Sequence, residues 1–154
     1  MPRGVARPQA VLFTCGLNSV RSPMALALFR HFAGKDIYAA SAGVRKGELD
    51  PFAVTVMEEI GFDISAHRPA TFEEIEDWEG LNFDLIVTLA PEAHHKALEL
   101  TRTLAAEVEY WPTPDPTDTP GSREQILDAY RAVREQLTER IRTRFGMQSA
   151  SGNE

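Results

Sequence analysis

The sequence predicts an α/β fold of three layers, α/β/α, around a central four-stranded parallel sheet. Three observations predict it. Short apolar runs recur at residues 9–14, 37–41, 83–89 and 107–111. Stretches with helical periodicity separate them. Prolines, capping residues and glycines punctuate the boundaries. Strands that alternate with helices imply crossover connections, and crossovers make the sheet parallel. At 154 residues the chain has the length of one domain, and roughly two-thirds of its unfolded surface can be buried. A single domain over 1–154 is therefore expected, with the polar ends 1–8 and 147–154 flexible.

Each element has its own local reason. QAVLFT (9–14) is rich in β-formers and carries no charge. The helix after it is expected to begin at Ser22, a favoured N-cap, with Pro23 in its first position. Met24, Leu26, Ala27, Leu28, Phe29 and Phe32 follow at helical spacing until Gly34. IYAAS (37–41) reads as the second strand, ended by Gly43. Pro51 opens a helix through Phe52, Val54, Val56, Met57 and Ile60, closed by Gly61. Thr71 and Glu74 have the spacing of a capping box, so a short helix runs from there toward Trp78. FDLIVTL (83–89) is a buried strand, residues 92–104 a helix, and EVEYW (107–111) the fourth strand. PTPDPTDTPG (112–121), with four prolines, is a loop. Ser122 and Gln125 make a second capping box. Ile126, Tyr130, Val133, Leu137, Ile141 and Phe145 then step by three or four, and Arg140, Arg142 and Arg144 suit the negative end of the helix dipole. Trp78, Trp111 and Tyr130 are expected in the core or in a cleft wall.

Composition narrows the function classes. The net charge is −7. An acidic protein gains nothing from releasing the counterions of a phosphate backbone, so no nucleic-acid partner is expected. An anionic substrate would have to be drawn in by a local field. The single cysteine excludes an internal disulfide and a multi-cysteine zinc site. His94 and His95 are neighbours, face different ways on a helix and make a poor metal pair, so no metal is expected. MPRGVARPQA has arginines but no apolar stretch behind them, and no run approaches the ~20 apolar residues of a membrane span. A cytoplasmic protein with no membrane partner is the expectation.

Chemistry concentrates in residues 11–23, VLFTCGLNSVRSP. Parallel α/β sheets hold ligands beyond the carboxyl ends of their strands. Cys15 and the loop after Trp111 both lie at such ends. A lone cysteine is more often inert packing. An arginine six places on, with serine next, a strand behind and a helix ahead, is a far rarer conjunction. The residues between Cys15 and Arg21 (Gly16, Leu17, Asn18, Ser19 and Val20) can curl so that their N–H groups face inward as an anion nest. Gly16 and Asn18 tolerate the left-handed conformations of a tight cradle. The helix beginning at Ser22 adds the positive end of its dipole. A nest and a helix N-terminus both favour a negative sulfur over a neutral one. Arg21 offers a planar fork that fits two oxygens of a phosphate-like anion. Asp115 or Asp118 in the Pro-rich loop is a candidate acid, and a turn or cap aspartate is the alternative for either. Arg45 and Lys46 could help draw in an anion, although exposed loop charges are usually just solvated.

The stretch C-x5-R-S-P resembles the low-molecular-weight protein tyrosine phosphatases, in a divergent bacterial-type form. The family reads V-C-x-G-N-x-x-R-S-P here. Cys15, Asn18, Arg21, Ser22 and Pro23 match, and Leu17 stands at the family glycine. The resemblance continues through Ser41-Ala42-Gly43, GFDISAHR, FDLIVTL and Asp115-Pro116, over roughly residues 9–145. It implies a phosphate monoester hydrolase that works through a cysteinyl-phosphate with no cofactor. The substrate would be a phosphorylated protein or a small phosphate monoester, and inorganic phosphate the product. In those terms Cys15 is the nucleophile, Arg21 binds the phosphoryl oxygens, Ser22 hydrogen-bonds the thiolate and Asn18 holds the loop's shape. Asp115 is the general acid, with Asp118 as the fallback. His67 and Arg68 resemble a family pair with a structural role under the loop. Thr117 and Asp118 replace the tyrosines that often follow the Asp-Pro pair, and Ala90 and Pro91 follow the third strand where an aspartate is frequent. Two rivals remain. One is an arsenate reductase using an external small thiol, since no further cysteine is present to relay oxidation. The other is a non-catalytic phospho-ligand-binding module.

Overall fold

The apolar runs pair as four parallel strands: β1 (Ala10–Cys15), β2 (Tyr38–Gly43), β3 (Leu85–Thr88) and β4 (Glu107–Tyr110). Their spatial order is β2-β1-β3-β4. The computed structural model describes residues 7–33 and 36–146. Gly34 lies outside those residues, as do 1–6 and 147–154 of the ends expected to be flexible (1–8 and 147–154), while Pro8 is buried. Between the strands run α1 (Arg21–Phe32), α2 (Pro51–Glu58), α3 (Phe72–Glu79) and α4 (Pro91–Leu100). After β4 come a 3₁₀ turn (Pro116–Asp118) and the long α5 (Arg123–Phe145).

The pleat sorts side chains to two faces. Val11, Phe13, Cys15, Leu85, Val87 and Leu89 pack with residues of α1, α2 and α5. Leu12, Ala40, Ala42 and Ile86 pack with residues of α3 and α4. That makes the three layers. Phe13 anchors the first face, with ring centroids 5.4 Å from Phe29 and 6.2 Å from Trp111. Burying an aromatic ring of this kind contributes about 1.5–3 kcal/mol. Glu59, just beyond α2, ties that helix to α5. Hydrogen bonds from Arg131, and then from Arg134, hold its carboxyl down at about 2.

The register extends β2 two residues past the predicted strand. Cys15 pairs with Gly43, so the ends of β1 and β2 lie side by side. Both capping boxes form, Thr71 with Glu74 and Ser122 with Gln125. The helix expected over 92–104 stops at Leu100, where the hydroxyls of Thr101 and Thr103 turn back to the carbonyls of Leu98 and Leu100. Ile60 falls beyond α2 in a turn that Gly61 closes at φ +87°. Trp111 and Tyr130 are buried as expected, but Trp78 is 65% exposed. The buried stripe of α3 is Phe72 and Ile75. A further step of three rotates Trp78 off that stripe in the last turn. No helix among the described residues is long and apolar enough to cross a membrane.

Candidate active site

Cys15 ends β1 and Arg21 begins α1, so five residues form the connection between them. The chain after β2 runs along this connection and takes up its carbonyls. Val44 N donates to Cys15 O (3.2 Å), Arg45 N to Gly16 O (2.9 Å), Gly47 N to Leu17 O (3.0 Å) and Asp50 N to Ser19 O (3.1 Å). A planar trans peptide points its N–H opposite to its C=O. Carbonyls drawn outward therefore turn the intervening N–H groups inward. Among the described residues, none of the backbone N–H groups from Gly16 to Val20 donates to a protein acceptor. Four of these five residues are buried; Leu17 is the exposed one. Buried N–H groups are seldom left unpaired, and a concave row of them can receive an anion.

Helix α1 adds to the row. Its N-cap is Val20, with no side-chain cap. This corrects the expectation that Ser22 would cap the helix. The first-turn N–H groups face the cradle, where an oxyanion can take the place of a cap. Ser22 lies inside the first turn and turns its hydroxyl to the thiol, with Oγ 3.0 Å from Cys15 Sγ. That hydroxyl accepts from Asn18 Nδ2 at 2.7 Å, so its own proton is free to point at sulfur.

Asn18 is the non-glycine residue of positive φ among the described residues, at +57°. Asparagine bears that conformation better than most residues, and here its side chain is fixed on every side. Nδ2 also donates to Ser41 Oγ (2.9 Å), while Oδ1 accepts from Ala70 N (2.9 Å) and from His67 Nε2 (3.1 Å). Because Oδ1 only accepts, His67 carries its proton on Nε2. Burial pushes the His67 imidazole below its ordinary value, against the hydrogen bond to Asn18, which raises it. Neither Gly16 nor Leu17 takes positive φ, so the left-handed turn of the cradle is made at Asn18 alone.

Gly43 permits the close approach of β2 to the loop. A β-carbon there would lie 2.6 Å from Arg45 O, 2.7 Å from Asn18 N and 2.8 Å from Leu17 C. All three are backbone atoms and none can swing aside. Gly43→Ala is expected to cost about 1–3 kcal/mol of stability, as overpacking does. It should also spread the cradle, so that phosphate protects Cys15 from alkylation less well. Urea midpoints and protection constants measured on the same preparation test both effects.

The opposite wall comes from the Pro-rich loop. Arg21 Nη1 donates to Thr113 O at 2.9 Å, and Nη2 lies 3.6 Å from Asp115 Oδ2. Asp115 Oδ1 accepts from Thr117 N (3.0 Å) and Thr117 Oγ1 (2.8 Å), which caps the 3₁₀ turn. One carboxylate oxygen thus holds the turn while the other faces the guanidinium. A cavity of about 110 Å³ lies between the two walls. Of the residues singled out from sequence, Cys15, Gly16, Leu17, Ser19, Val20, Arg21 and Asp115 line it, with Arg45 at its edge. Asn18 and Ser22 sit behind the loop, and Asp118 is not in the lining. A larger hollow of about 510 Å³ lies between α1 and residues 62–67 and is lined by Pro23 and His67 but by none of Cys15, Arg21, Asp115 or the residues from Gly16 to Val20.

Sequence reasoning missed two participants, Asp50 and Glu92. Asp50 caps α2 through Phe52 N (2.8 Å), donates its own N–H to Ser19 O and accepts from Tyr130 Oη (2.6 Å). It therefore joins the cradle to α2 and α5. Thr117 and Glu92 complete the rim of the cavity. No spacing signals the contacts of Asp50 with Ser19 and Tyr130 or of Glu92 with Arg45, because each joins segments far apart in the chain.

The comparisons agree with this geometry. Residues 10–149 match the family described as low molecular weight phosphotyrosine protein phosphatase. The arsenate reductase of Bacillus subtilis (strain 168) is 32% identical over 133 residues, covering 86% of this chain and 91% of that protein. The crystal structure of a low molecular weight protein tyrosine phosphatase from T. tengcongensis superposes with a TM-score of 0.69 at 30% identity, over 86% of this chain and 95% of the other. An arsenate reductase solved in its phosphate-binding state gives a TM-score of 0.66 at 27% identity, over 88% and 95%. With the cradle, the sheet order and a match over nearly its whole length in agreement, the chain belongs to the low molecular weight phosphotyrosine protein phosphatase family.

Proposed function

We propose that the chain hydrolyses phosphate monoesters through a cysteinyl-phosphate. The observation that carries this reading is the row of unpartnered N–H groups from Gly16 to Val20 that curls beside Cys15. Three non-bridging phosphoryl oxygens fit such a row, and the Arg21 fork can grip two of them once the anion displaces its present contacts. Phosphoryl transfer asks chiefly for positioning and charge stabilisation, and these groups supply both. Cys15 Sγ attacks phosphorus from the floor of the cradle, with Ser22 Oγ–H donating to the sulfur. The P–O bond to the leaving group breaks as the S–P bond forms. Asp115, on the opposite wall, gives its proton to the leaving oxygen. In the second half Asp115 takes a proton from water, the water oxygen bonds to phosphorus and the S–P bond breaks. Inorganic phosphate leaves and the thiolate is restored. A phosphorylated protein or a small phosphate monoester fits this chemistry equally.

A second reading rests on the relatives named arsenate reductases. Arsenate is a tetrahedral oxyanion of phosphate-like charge, so the same cradle would hold it. Its reduction to arsenite takes two electrons. With one cysteine in the chain, an external thiol must attack the sulfur of a Cys15–arsenic adduct and release arsenite with a mixed disulfide. A second external thiol then regenerates Cys15. One assay separates the readings. The purified protein is given an aryl phosphate without thiol, a phosphotyrosine peptide without thiol, and arsenate with a small thiol. Phosphate release in the first two without thiol is the expected result. Arsenite formation with no phosphate release would overturn the phosphatase reading.

A further inference from the structure

Glu92 is the second residue of α4, and the start of that helix carries its carboxylate over the cradle. Oε2 stands so close to Gly16 that a β-carbon there would collide with it. Arg45 holds it in place from the other side of the mouth. Arg45 Nη1 donates to Oε1 at 2.7 Å and Nη2 to Oε2 at 3.2 Å, a two-point grip. The backbone N–H of Arg45 is itself fixed to Gly16 O at 2.9 Å. The pair thus joins the chain after β2 to the start of α4, and both residues line the cavity that holds Cys15 and Arg21.

The side chains of Arg45 and Glu92 remain 61% and 43% exposed. An exposed pair of this kind adds little to stability. Its larger consequence is for the charge at the rim. Paired with Glu92, Arg45 offers an incoming anion a guanidinium whose charge is already offset. An anionic group next to the scissile ester, on the Arg45 side of the mouth, would meet the carboxylate of Glu92. A neutral or cationic group meets no such penalty.

Resting on the phosphate monoester reading above, we infer that Glu92 is a specificity-determining residue. Held by Arg45, its carboxylate selects phosphoryl substrates whose leaving group is neutral or cationic near the ester and disfavours those with a second negative charge. Glu92→Gln removes the carboxylate and releases Arg45, so both changes favour anions. Arg45→Gln releases Glu92 and acts in the opposite sense.

The single cysteine allows a test that needs no turnover. Alkylation rates of Cys15 are measured with iodoacetate, iodoacetamide and protonated 2-bromoethylamine, which carry charges of about −1, 0 and +1. In Glu92→Gln the iodoacetate-to-iodoacetamide ratio should rise about 3–10-fold, and the bromoethylamine-to-iodoacetamide ratio should fall, as expected for one or two charges acting across a few ångströms of solvated mouth. Arg45→Gln should lower the first ratio. Both effects should shrink in high salt. In turnover, Glu92→Gln should raise kcat/KM for a carboxyl-substituted aryl phosphate relative to the unsubstituted one by a similar factor. Ratios that stay at the wild-type value in both variants overturn the inference. Ratios that shift while no protein releases phosphate from either aryl ester uphold the role of Glu92 at the mouth and overturn the phosphatase reading instead.

Discussion

Cys15→Ser is expected to fold and to bind phosphate much as the wild type does, while releasing phosphate from an aryl ester at least about 10⁴-fold more slowly. Cys15 is 2% exposed and sits at the end of a central strand. Serine is smaller by little and can keep a hydrogen bond with Ser22 Oγ, now 3.0 Å from the sulfur. The cradle does not depend on the thiol for its shape. Its carbonyls are held by the chain from Val44 to Asp50, and Asn18 is held by Ser22, Ser41, His67 and Ala70. What serine cannot supply is a thiolate, and without it no phosphoenzyme forms. The nest and Arg21 remain, so weak residual catalysis by a bound water is the floor. Phosphate release, calorimetric phosphate affinity and the urea midpoint read the three quantities separately. A variant that keeps more than about a hundredth of the wild-type rate would falsify the covalent route.

The sequence made the layers legible because the layers are local facts. Apolar runs mark β1 to β4, and the two capping boxes mark the starts of α3 and α5, where the observed hydrogen bonds match residue by residue. The cradle was legible for a different reason. A strand, a cysteine, an arginine six places on and a helix are contiguous, so one stretch of chain carries most of the site. The local rule for helix starts favours a serine cap, but Ser22 lies inside the first turn with its hydroxyl engaged by Asn18 Nδ2 and Cys15 Sγ. Trp78 was misread because hydrophobicity was weighed without its angle on a short helix. The pairs Asp50 with Tyr130 and Arg45 with Glu92 were out of reach. They are separated by 80 and 47 positions, and only the sheet order and the crossovers bring them together. Nothing periodic in the sequence encodes such a meeting.

Asp115→Asn is expected to separate good leaving groups from poor ones. For an ester whose alkoxide is strongly basic, departure needs a proton, and losing the acid should slow phosphorylation of the enzyme by about 10²–10⁴-fold. For a nitrophenol, which leaves readily as an anion, the loss should be far smaller. A plot of the phosphorylation rate against leaving-group basicity should therefore be nearly flat for the wild type and steep for the variant. The substitution is mild for the fold. Asparagine keeps an oxygen that can accept from Thr117 N and Thr117 Oγ1, as Oδ1 does at 3.0 and 2.8 Å, so the 3₁₀ turn persists. It gives up only the acidic oxygen, Oδ2, which faces Arg21 Nη2 at 3.6 Å. Asp118 is the control. It sits on the same turn three positions on but does not line the cavity over Cys15, and Asp118→Asn should leave the plot flat. A steep plot for Asp118→Asn and a flat one for Asp115→Asn would transfer the acid to Asp118 and mean that the turn swings to reach the ester. Flat plots for both would take the Pro-rich loop out of proton transfer, leaving it to position Arg21 through Thr113 O.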